Sequence, residues 1–260
     1  MTDFLIKVFG FLIEFFWPGK LKELQVRIKR LDIDNAKEIH DFISIYDETF
    51  PDDGSNYTSG ELLDAFEDIH NIKKHVTADN IILVAKYKNS IVEFIACFYY
   101  PKKRYGIIGY FGKTKSFKDE DGAKILKKLK EILIKEHNCE LLVFELEFNK
   151  RDRAKAFLFK RYAKQLGLVA LELDFDYQRP KLNLEDTKEE KLSLLVIPIK
   201  GNIGNTFTKA KVLDILSFIH FYCYGDYYET TDPLHIEYQN YMQSRIDFYS
   251  ANLPDEINAK

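Results

Sequence analysis

Hydrophobic and polar positions repeat with two different periods along the chain, one typical of strands and one typical of helices, and segments of the two kinds alternate. A period of two, or a short continuous apolar run, predicts a strand. The predicted strands cover residues 25–31, 80–88, 91–100, 105–113, 139–148, 168–177 and 192–199. Apolar positions three and four residues apart predict helices. These helices cover residues 35–50, 61–70, 122–137, 153–165, 208–224 and 233–250.

The order of these elements predicts the fold class. Short polar turns join the three strands between residues 80 and 113, which is typical of an antiparallel meander. A helix then separates two strands between Tyr105 and Phe148, and this order favours a parallel pairing of those strands. We therefore expect an α/β (α+β) protein with a mixed, mainly antiparallel sheet flanked by helices. Residues 25–200 would form this domain, with a hydrophobic helix at residues 1–20 and a helical extension at residues 206–252.

The stretch from Phe4 to Trp17 is apolar apart from Lys7, Gly10 and Glu14, which share one narrow helix face. It is shorter than the roughly 20 residues of a membrane-spanning helix, and no small-residue cleavage site follows it. Helices that lie in a membrane interface usually carry a broad basic face, which is missing here. Packing against the rest of the protein or against a second copy in a homodimer is the favoured interpretation.

Charge and cysteine usage narrow the function classes. The chain has 38 basic and 41 acidic residues and a net charge of −3, so no global positive field attracts nucleic acid. Cys97, Cys139 and Cys223 are widely spaced and form no CxxC motif, and no His-rich ligand cluster accompanies them. We expect neither a metal site nor a disulfide framework, and a reducing cytoplasm as the location.

The segment from Tyr110 to Leu126 combines a strand end, a polar loop and a helix start. The helix begins with the small residues Gly122 and Ala123 between basic neighbours. Unpaired N–H groups and a partial positive charge at a helix start suit an anion such as a pyrophosphate. An ordinary capped helix explains the same composition and stays open as the alternative.

The order of elements resembles that of the GNAT acyltransferase superfamily over about residues 25–199. In that family the loop reads Arg or Gln, two residues, Gly, one residue, Gly or Ala, two residues and Leu. Lys118 to Leu126 falls into this frame, where Ala123 and Leu126 fit, Lys118 replaces Arg and Asp121 replaces the first Gly. The run from residue 176 to 180 and the strand after it are similar to those of a bacterial GNAT subgroup.

The resemblance implies an N-acyltransferase that moves an acyl group, commonly acetyl, from acyl-coenzyme A to the amine of a small molecule or protein. It implies that a bulged or splayed strand end offers backbone amides to the pantetheine arm, and that the loop binds the pyrophosphate. The implied cofactor-binding residues are Phe111, Gly112, Lys113, Lys118, Asp121, Gly122, Ala123 and Lys124.

Candidate catalytic residues lie on the strand and helix that follow. A protonated amine acceptor needs a base, and Glu145 or Glu147 could serve if it reaches a cleft, although both could equally face solvent. The resemblance also implies a Tyr four residues before Gly167 as the acid for the departing thiolate. Ala163 occupies that position, and Tyr162 stands one residue earlier. A fold that binds or regulates without turnover therefore remains the alternative function, and an interaction protein is a further one.

Overall fold

A computed structural model describes most of the chain. It covers residues 26–50, 60, 78–114, 122–147, 160–161, 164, 167–181, 184–185, 190–201, 204–225, 228 and 230–260. The predicted N-terminal helix, Phe4 to Trp17, lies outside these residues, and so does the predicted helix at residues 61–70.

The elements of the described residues follow the predicted blocks closely. The described strands are β1 (Arg27–Arg30), β2 (Asp79–Tyr87), β3 (Ser90–Tyr100), β4 (Tyr105–Lys113), β5 (Leu141–Glu147), β6 (Leu171–Glu172), β7 (Tyr177–Gln178), β8 (Lys191–Pro198), β9 (Thr206–Thr208) and β10 (Glu256–Asn258). The described helices are α1 (Ala36–Thr49), α2 (Gly122–Lys135), α3 (Lys209–Phe218) and α4 (Pro233–Asn252), and a π-helical turn (Ile219–Tyr224) continues α3. None of these helices is long and apolar enough to cross a bilayer.

The strands form an eight-stranded sheet in the order β1-β2-β3-β4-β5-β8-β6, with β7 also paired to β8. The neighbours β2, β3 and β4 follow chain order, as a meander should. Strand β4 pairs with β5 in parallel, from Tyr105 opposite Leu141 to Ile108 opposite Phe144. The pairs of β8 with β5, β6 and β7 are antiparallel. The predicted class, a mixed and mainly antiparallel sheet flanked by helices, is confirmed.

The chain divides into two compact units, and β3 and β4 contribute to both. The first unit consists of Met1–Val76, Asn80–Ala96 and Tyr110–Leu129. The second consists of Thr77–Asp79, Cys97–Gly109 and Lys130–Lys260.

In the first unit, α1 begins with a side-chain cap and buries an aromatic face. The side chain of Asn35 accepts a hydrogen bond from the N–H of Glu38 at 3.1 Å and caps the helix. One helical turn apart, Phe42 and Tyr46 are fully buried. The ring of Phe94 on β3 lies 5.1 Å from that of Phe42 and 6.0 Å from that of Tyr46.

In the second unit, β5 is held along its whole length by β8. The pairing extends from Leu141 opposite Pro198 to Glu147 opposite Leu192. Alternate residues of both strands share one face of the sheet. The apolar side chains of that face and those of α3 form one buried cluster, which includes Val143, Leu194, Val196, Val212, Leu216 and Phe218.

The prediction of one strand over residues 168–177 is wrong, because the chain bends between β6 and β7. At this bend the N–H of Leu173 still donates to the carbonyl of Leu194 on β8 at 3.0 Å, and the backbone also bonds to residues near the carboxyl end of the chain. Leu173 forms an isolated antiparallel bridge with Ala259, and the N–H of Asp174 donates to the carbonyl of Asn258 at 2.9 Å. Such a tertiary contact has no signature in the local periodicity of residues 168–177.

The C-terminal segment, residues 206–260, contains both helices that the sequence predicts there. The side chain of Asp232 accepts a hydrogen bond from the N–H of Leu234 at 2.8 Å, and Pro233 occupies the first turn of α4. Strands β9 and β10 pair in antiparallel fashion from Thr206 opposite Asn258. Tyrosine hydroxyls of this segment bond to the backbone of residues 178–184; they belong to Tyr228, Tyr238, Tyr241 and Tyr249.

Candidate active site

Glu145 lies in the middle of β5, opposite Leu194, on the sheet face that carries the apolar cluster. A carboxylate on such a face loses hydration, so it needs hydrogen-bond donors. Two tyrosine hydroxyls supply them. The hydroxyl of Tyr177 donates to Oε1 and the hydroxyl of Tyr224 donates to Oε2, the latter at 2.6 Å.

The two tyrosines reach Glu145 from different elements of the second unit. Tyr177 is the first residue of β7 and lies opposite Leu192, the residue that also pairs with Glu147 from the other side of β8. Tyr224 is the last residue of the π-helical turn in the C-terminal segment. A π-helical turn contains more residues per turn than an α-helix and recurs at functional sites.

Burial and the neighbouring polar groups shift the pKa of Glu145 in opposite directions. Burial raises the pKa of the Glu145 carboxyl, whereas the hydrogen bonds from Tyr177 and Tyr224 and the charge of Arg179 oppose that rise. The pKa of each tyrosine hydroxyl is raised well above its ordinary value, mainly by burial and also by the Glu145 charge. The guanidinium of Arg179 pairs with Glu190 at 2.7 Å. The hydroxyls therefore stay protonated as donors, and the carboxylate is a stronger base than an exposed one.

The other predicted catalytic residues are placed only in part. Glu147 ends β5 opposite Leu192, and its side chain is outside the described part of the structure. Tyr162 lies wholly outside the described residues. The role predicted for each of these residues stays a prediction.

The second half of β4 carries the residues predicted to meet the pantetheine arm. The parallel ladder with β5 ends at Ile108, although β4 continues to Lys113. At that end, the N–H of Thr114 donates to the carbonyl of Val92 on β3 at 2.9 Å.

Gly112, between Phe111 and Lys113, has a packing reason to be glycine. A Cβ atom there would lie 2.4 Å from Cε1 of Phe94 and 3.0 Å from Oγ1 of Thr49. Since the Phe94 ring is fully buried, it has little room to move. Gly112 is thus explained without a ligand. Beside it, burial lowers the pKa of Lys113, and the nearby charge of Glu93 opposes that shift.

The predicted pyrophosphate loop is described only at its helical end. Gly122 is the first residue of α2, as predicted, and Ala123 follows it in the helix. Lys124 is half-buried one position further along. Lys118 and Asp121 lie outside the described residues, so their predicted contacts stay predictions.

Sequence reasoning missed the donors to Glu145 and one buried histidine. Tyr177 and Arg179 belong to the stretch that resembles a bacterial subgroup, but nothing in the sequence connects them to Glu145. Tyr224 lies 79 residues after Glu145 in the sequence, so no local pattern could connect the two. His220 is fully buried in the π-helical turn.

The described part of the chain shows neither a Cys97 or Cys139 thiolate nor a metal-binding cluster. Burial raises the pKa of the Cys139 thiol to about 12 and that of Cys97 well above its usual range, so neither is a thiolate near neutral pH. Within the described ranges, no three His, Cys, Asp or Glu side chains are grouped in a way that could hold a metal ion.

No protein-family model matches the chain, and no curated protein matches it. Solved structures do match. An acetyltransferase of the GNAT family from Streptococcus pneumoniae shares 16% identity, with 66% of this chain and 98% of that chain covered and a TM-score of 0.45. The ribosomal-protein-S18-alanine N-acetyltransferase from Escherichia coli shares 12% identity, with 69% and 97% covered and a TM-score of 0.46.

A third similar structure is an aminoglycoside 6'-N-acetyltransferase complexed with coenzyme A, at 12% identity, with 68% of this chain and 99% of that chain covered and a TM-score of 0.46. GNAT-family acetyltransferases are thus among the proteins that this chain is similar to, over about two thirds of its length. At these identities and TM-scores the likeness concerns the general arrangement of strands and helices and does not extend to substrates.

Proposed function

We propose that this protein is an N-acyltransferase that transfers an acyl group, most simply acetyl, from acyl-coenzyme A to an amine. The observation that carries the proposal is the β4–α2–β5 unit. Its two strands are parallel, its helix starts at Gly122, and its loop keeps the Lys118 to Leu126 frame that resembles the acyl-coenzyme A loop of the GNAT superfamily. The acceptor amine would belong to a small molecule or to a protein in the cytoplasm.

The acyl carrier would be held by backbone groups of the first unit. The N–H groups of Phe111 and Lys113 would bond to the pantetheine arm and the thioester carbonyl. The start of α2, with Gly122 and Ala123, would meet the pyrophosphate, and the side-chain charges of Lys118 and Lys124 would add to the attraction. Positioning of this kind supplies much of the rate of a group transfer.

The acyl transfer itself needs one base and one acid. The acceptor ammonium first gives a proton to a carboxylate, for which Glu145 and Glu147 are the candidates. The amine lone pair then attacks the thioester carbonyl, the C–N bond forms and the C–S bond breaks. The coenzyme A thiolate leaves with that electron pair and takes up a proton, for which Tyr162 is the candidate donor. The nitrogen gives up its second proton as the amide forms, and that proton restores the Tyr162 hydroxyl.

A catalytically inactive binding or regulatory protein of the same fold is the second candidate function. Two features of the sequence favour it: Asp121 places a carboxylate where the family has glycine, and Ala163 cannot donate a proton. The tyrosines that occupy both oxygens of Glu145 also fit a structural role for that carboxylate. This alternative keeps ligand binding and predicts no turnover.

Calorimetric titration with coenzyme A and acetyl-coenzyme A tests the binding half of the proposal. Proline is tolerated at the first position of a helix but has no N–H, so Gly122→Pro removes one proposed donor and keeps α2. Gly122→Ala is the matched control, because it adds a side chain and keeps the N–H. We expect binding that is lost in Gly122→Pro, retained in Gly122→Ala and strengthened in Asp121→Gly. No heat from either ligand, even in Asp121→Gly, would rule out the acyl-coenzyme A reading.

Turnover is tested by incubating the protein with acetyl-coenzyme A and a panel of small amines and of peptides with a free amino terminus. The added acetyl group is detected by mass spectrometry of the acceptor. This readout is preferable to a thiol reagent, since Cys223 is partly exposed and would react as well. Binding without any acetylated product across the panel would favour the inactive alternative.

A further inference from the structure

The Glu145 cluster contains a contribution from the C-terminal segment that the superfamily resemblance, which ends near residue 199, does not cover. We infer that Tyr177 and Tyr224 are positioning residues that hold the Glu145 carboxylate as the proton acceptor for the amine. The inference rests on the proposed acyl transfer. It assigns part of the C-terminal segment to the site rather than to packing alone.

The geometry at Glu145 fixes the orientation of its carboxylate. Each oxygen accepts a hydrogen bond from a different tyrosine, and the two tyrosines come from β7 and from the π-helical turn. With both oxygens held, rotation about the last side-chain bond breaks one hydrogen bond or both. A carboxylate has about four lone-pair sites, so two remain in fixed directions after the tyrosines are bound.

Both hydroxyls act on the charge of Glu145 in the same direction. A hydrogen bond to the ionised form favours that form, and burial acts against it. Among the described residues, the charged and titratable groups that act on Glu145 are Tyr177, Tyr224 and Arg179, which is paired to Glu190. If the two donors were lost, the carboxyl would take up its proton at a higher pH, so at a given acidic pH a smaller fraction of Glu145 would be ionised and able to accept a proton from the ammonium.

The proton balance of the step is simple. One N–H bond of the acceptor ammonium breaks, one O–H bond forms on Glu145, and the electron pair of the broken bond stays on nitrogen. The neutral amine is then the nucleophile, and no further reactant is needed. The tyrosine hydroxyls keep their protons throughout, because the pKa of each is raised well above its ordinary value.

The test measures the titration of Glu145 directly, without substrate. Carbon-13 NMR of protein labelled at glutamate carboxyls gives the titration curve, and the Glu145 signal is assigned by its absence from Glu145→Gln. In Tyr224→Phe and in Tyr177→Phe we expect the midpoint to rise by roughly one pH unit or more, since each change removes a hydrogen bond to a charged group. Tyr238→Phe is the matched control. Its hydroxyl is also in the C-terminal segment and donates to the carbonyl of Lys181 at 2.6 Å, away from Glu145.

The acid limb of the kcat/KM profile for acetyl transfer is measured with the same variants. We expect it to move upward with the Glu145 midpoint in Tyr224→Phe and Tyr177→Phe and to stay in place in Tyr238→Phe. A Glu145 midpoint that does not move in either tyrosine variant overturns the inference. So does an acid limb that stays fixed while the midpoint moves. If the midpoint moves but wild-type protein acetylates no acceptor, the proposed function fails instead, and the cluster is structural.

Discussion

His220 is a fully buried titratable side chain whose two ring nitrogens have unequal surroundings. Its Nδ1 lies 2.8 Å from the carbonyl oxygen of Leu216, so Nδ1–H is the donor and Nε2 carries a lone pair. Among the described residues, Nε2 has no hydrogen-bond partner. Burial lowers the pKa of His220 from 6.5 to about 4, the Leu216 carbonyl opposes that shift, and the charge of Arg245 adds to it. The folded protein therefore holds this ring neutral.

Acid should destabilise the protein through His220. The unfolded chain binds the proton near pH 6.5 and the folded chain near pH 4, so the unfolded state binds more protons between these values. The contribution of His220 to the free energy of unfolding is complete above pH 6.5 and is lost as the pH falls toward 4. Over this window the loss should be on the order of 3 kcal/mol. In His220→Gln, urea unfolding at several pH values should show a shallower pH dependence than in wild type.

The exposed His40 provides the control for this measurement. His40→Gln should keep the wild-type pH dependence of the unfolding free energy. If the His220→Gln and wild-type curves fall in parallel between pH 6.5 and 4, another group is responsible for the acid sensitivity.

At the scale of elements, β10 is short, but it contributes a buried side chain to the apolar cluster of the second unit. Its central residue, Ile257, is 1% exposed and lies opposite Phe207 of β9, which is 2% exposed. The residues after it bond to the bend between β6 and β7, through the Leu173–Ala259 bridge. A three-residue strand thus joins β9 to the edge of the sheet.

Truncation of Ile257 should therefore cost much more than the length of β10 suggests. We expect Ile257→Ala to lower the free energy of unfolding by about 2–4 kcal/mol, because it removes a buried side chain and leaves a cavity. The matched control is Ile236→Ala on α4, whose side chain is 70% exposed, and which should change stability by less than about 0.5 kcal/mol. Urea unfolding measures both variants. An equal loss of unfolding free energy in the two would show that β10 is not an important part of the buried cluster.

The sequence predicts elements well where the pattern is local. Strands β2, β3 and β4 are short, mainly apolar runs separated by short polar turns, so the local pattern is enough to define the meander. The bend between β6 and β7 bonds to Asn258 and Ala259, which lie more than 80 residues further along the chain, and such contacts leave no mark on the local pattern. The same holds for the candidate site. Glu145 is suggested by its place on a central strand, whereas its donors come from 32 and 79 residues further along the chain.

At the scale of the whole molecule, the part played by the hydrophobic stretch from Phe4 to Trp17 is still a prediction. If it packs on the protein or on a second copy, deletion of residues 1–17 should cause aggregation or loss of a dimer, because the apolar surface that it covers becomes exposed. Analytical size exclusion of full-length and truncated protein measures this change. An unchanged size for the truncated protein, together with flotation of only the full-length protein with liposomes, would show that the stretch binds membranes instead.

The bond between Tyr224 and Glu145 also determines when the candidate site can be completed during synthesis. The ribosome adds about 5–20 residues per second, so the 79 residues between them take roughly 4–16 s. During that interval a nascent chain contains Glu145 and can contain Tyr177, but it lacks the second donor. Proton acceptance by Glu145 in the proposed reaction would thus be among the last properties that a newly made molecule acquires. A chain released before residue 224 would contain β5 and Glu145 but would lack the Tyr224 hydroxyl.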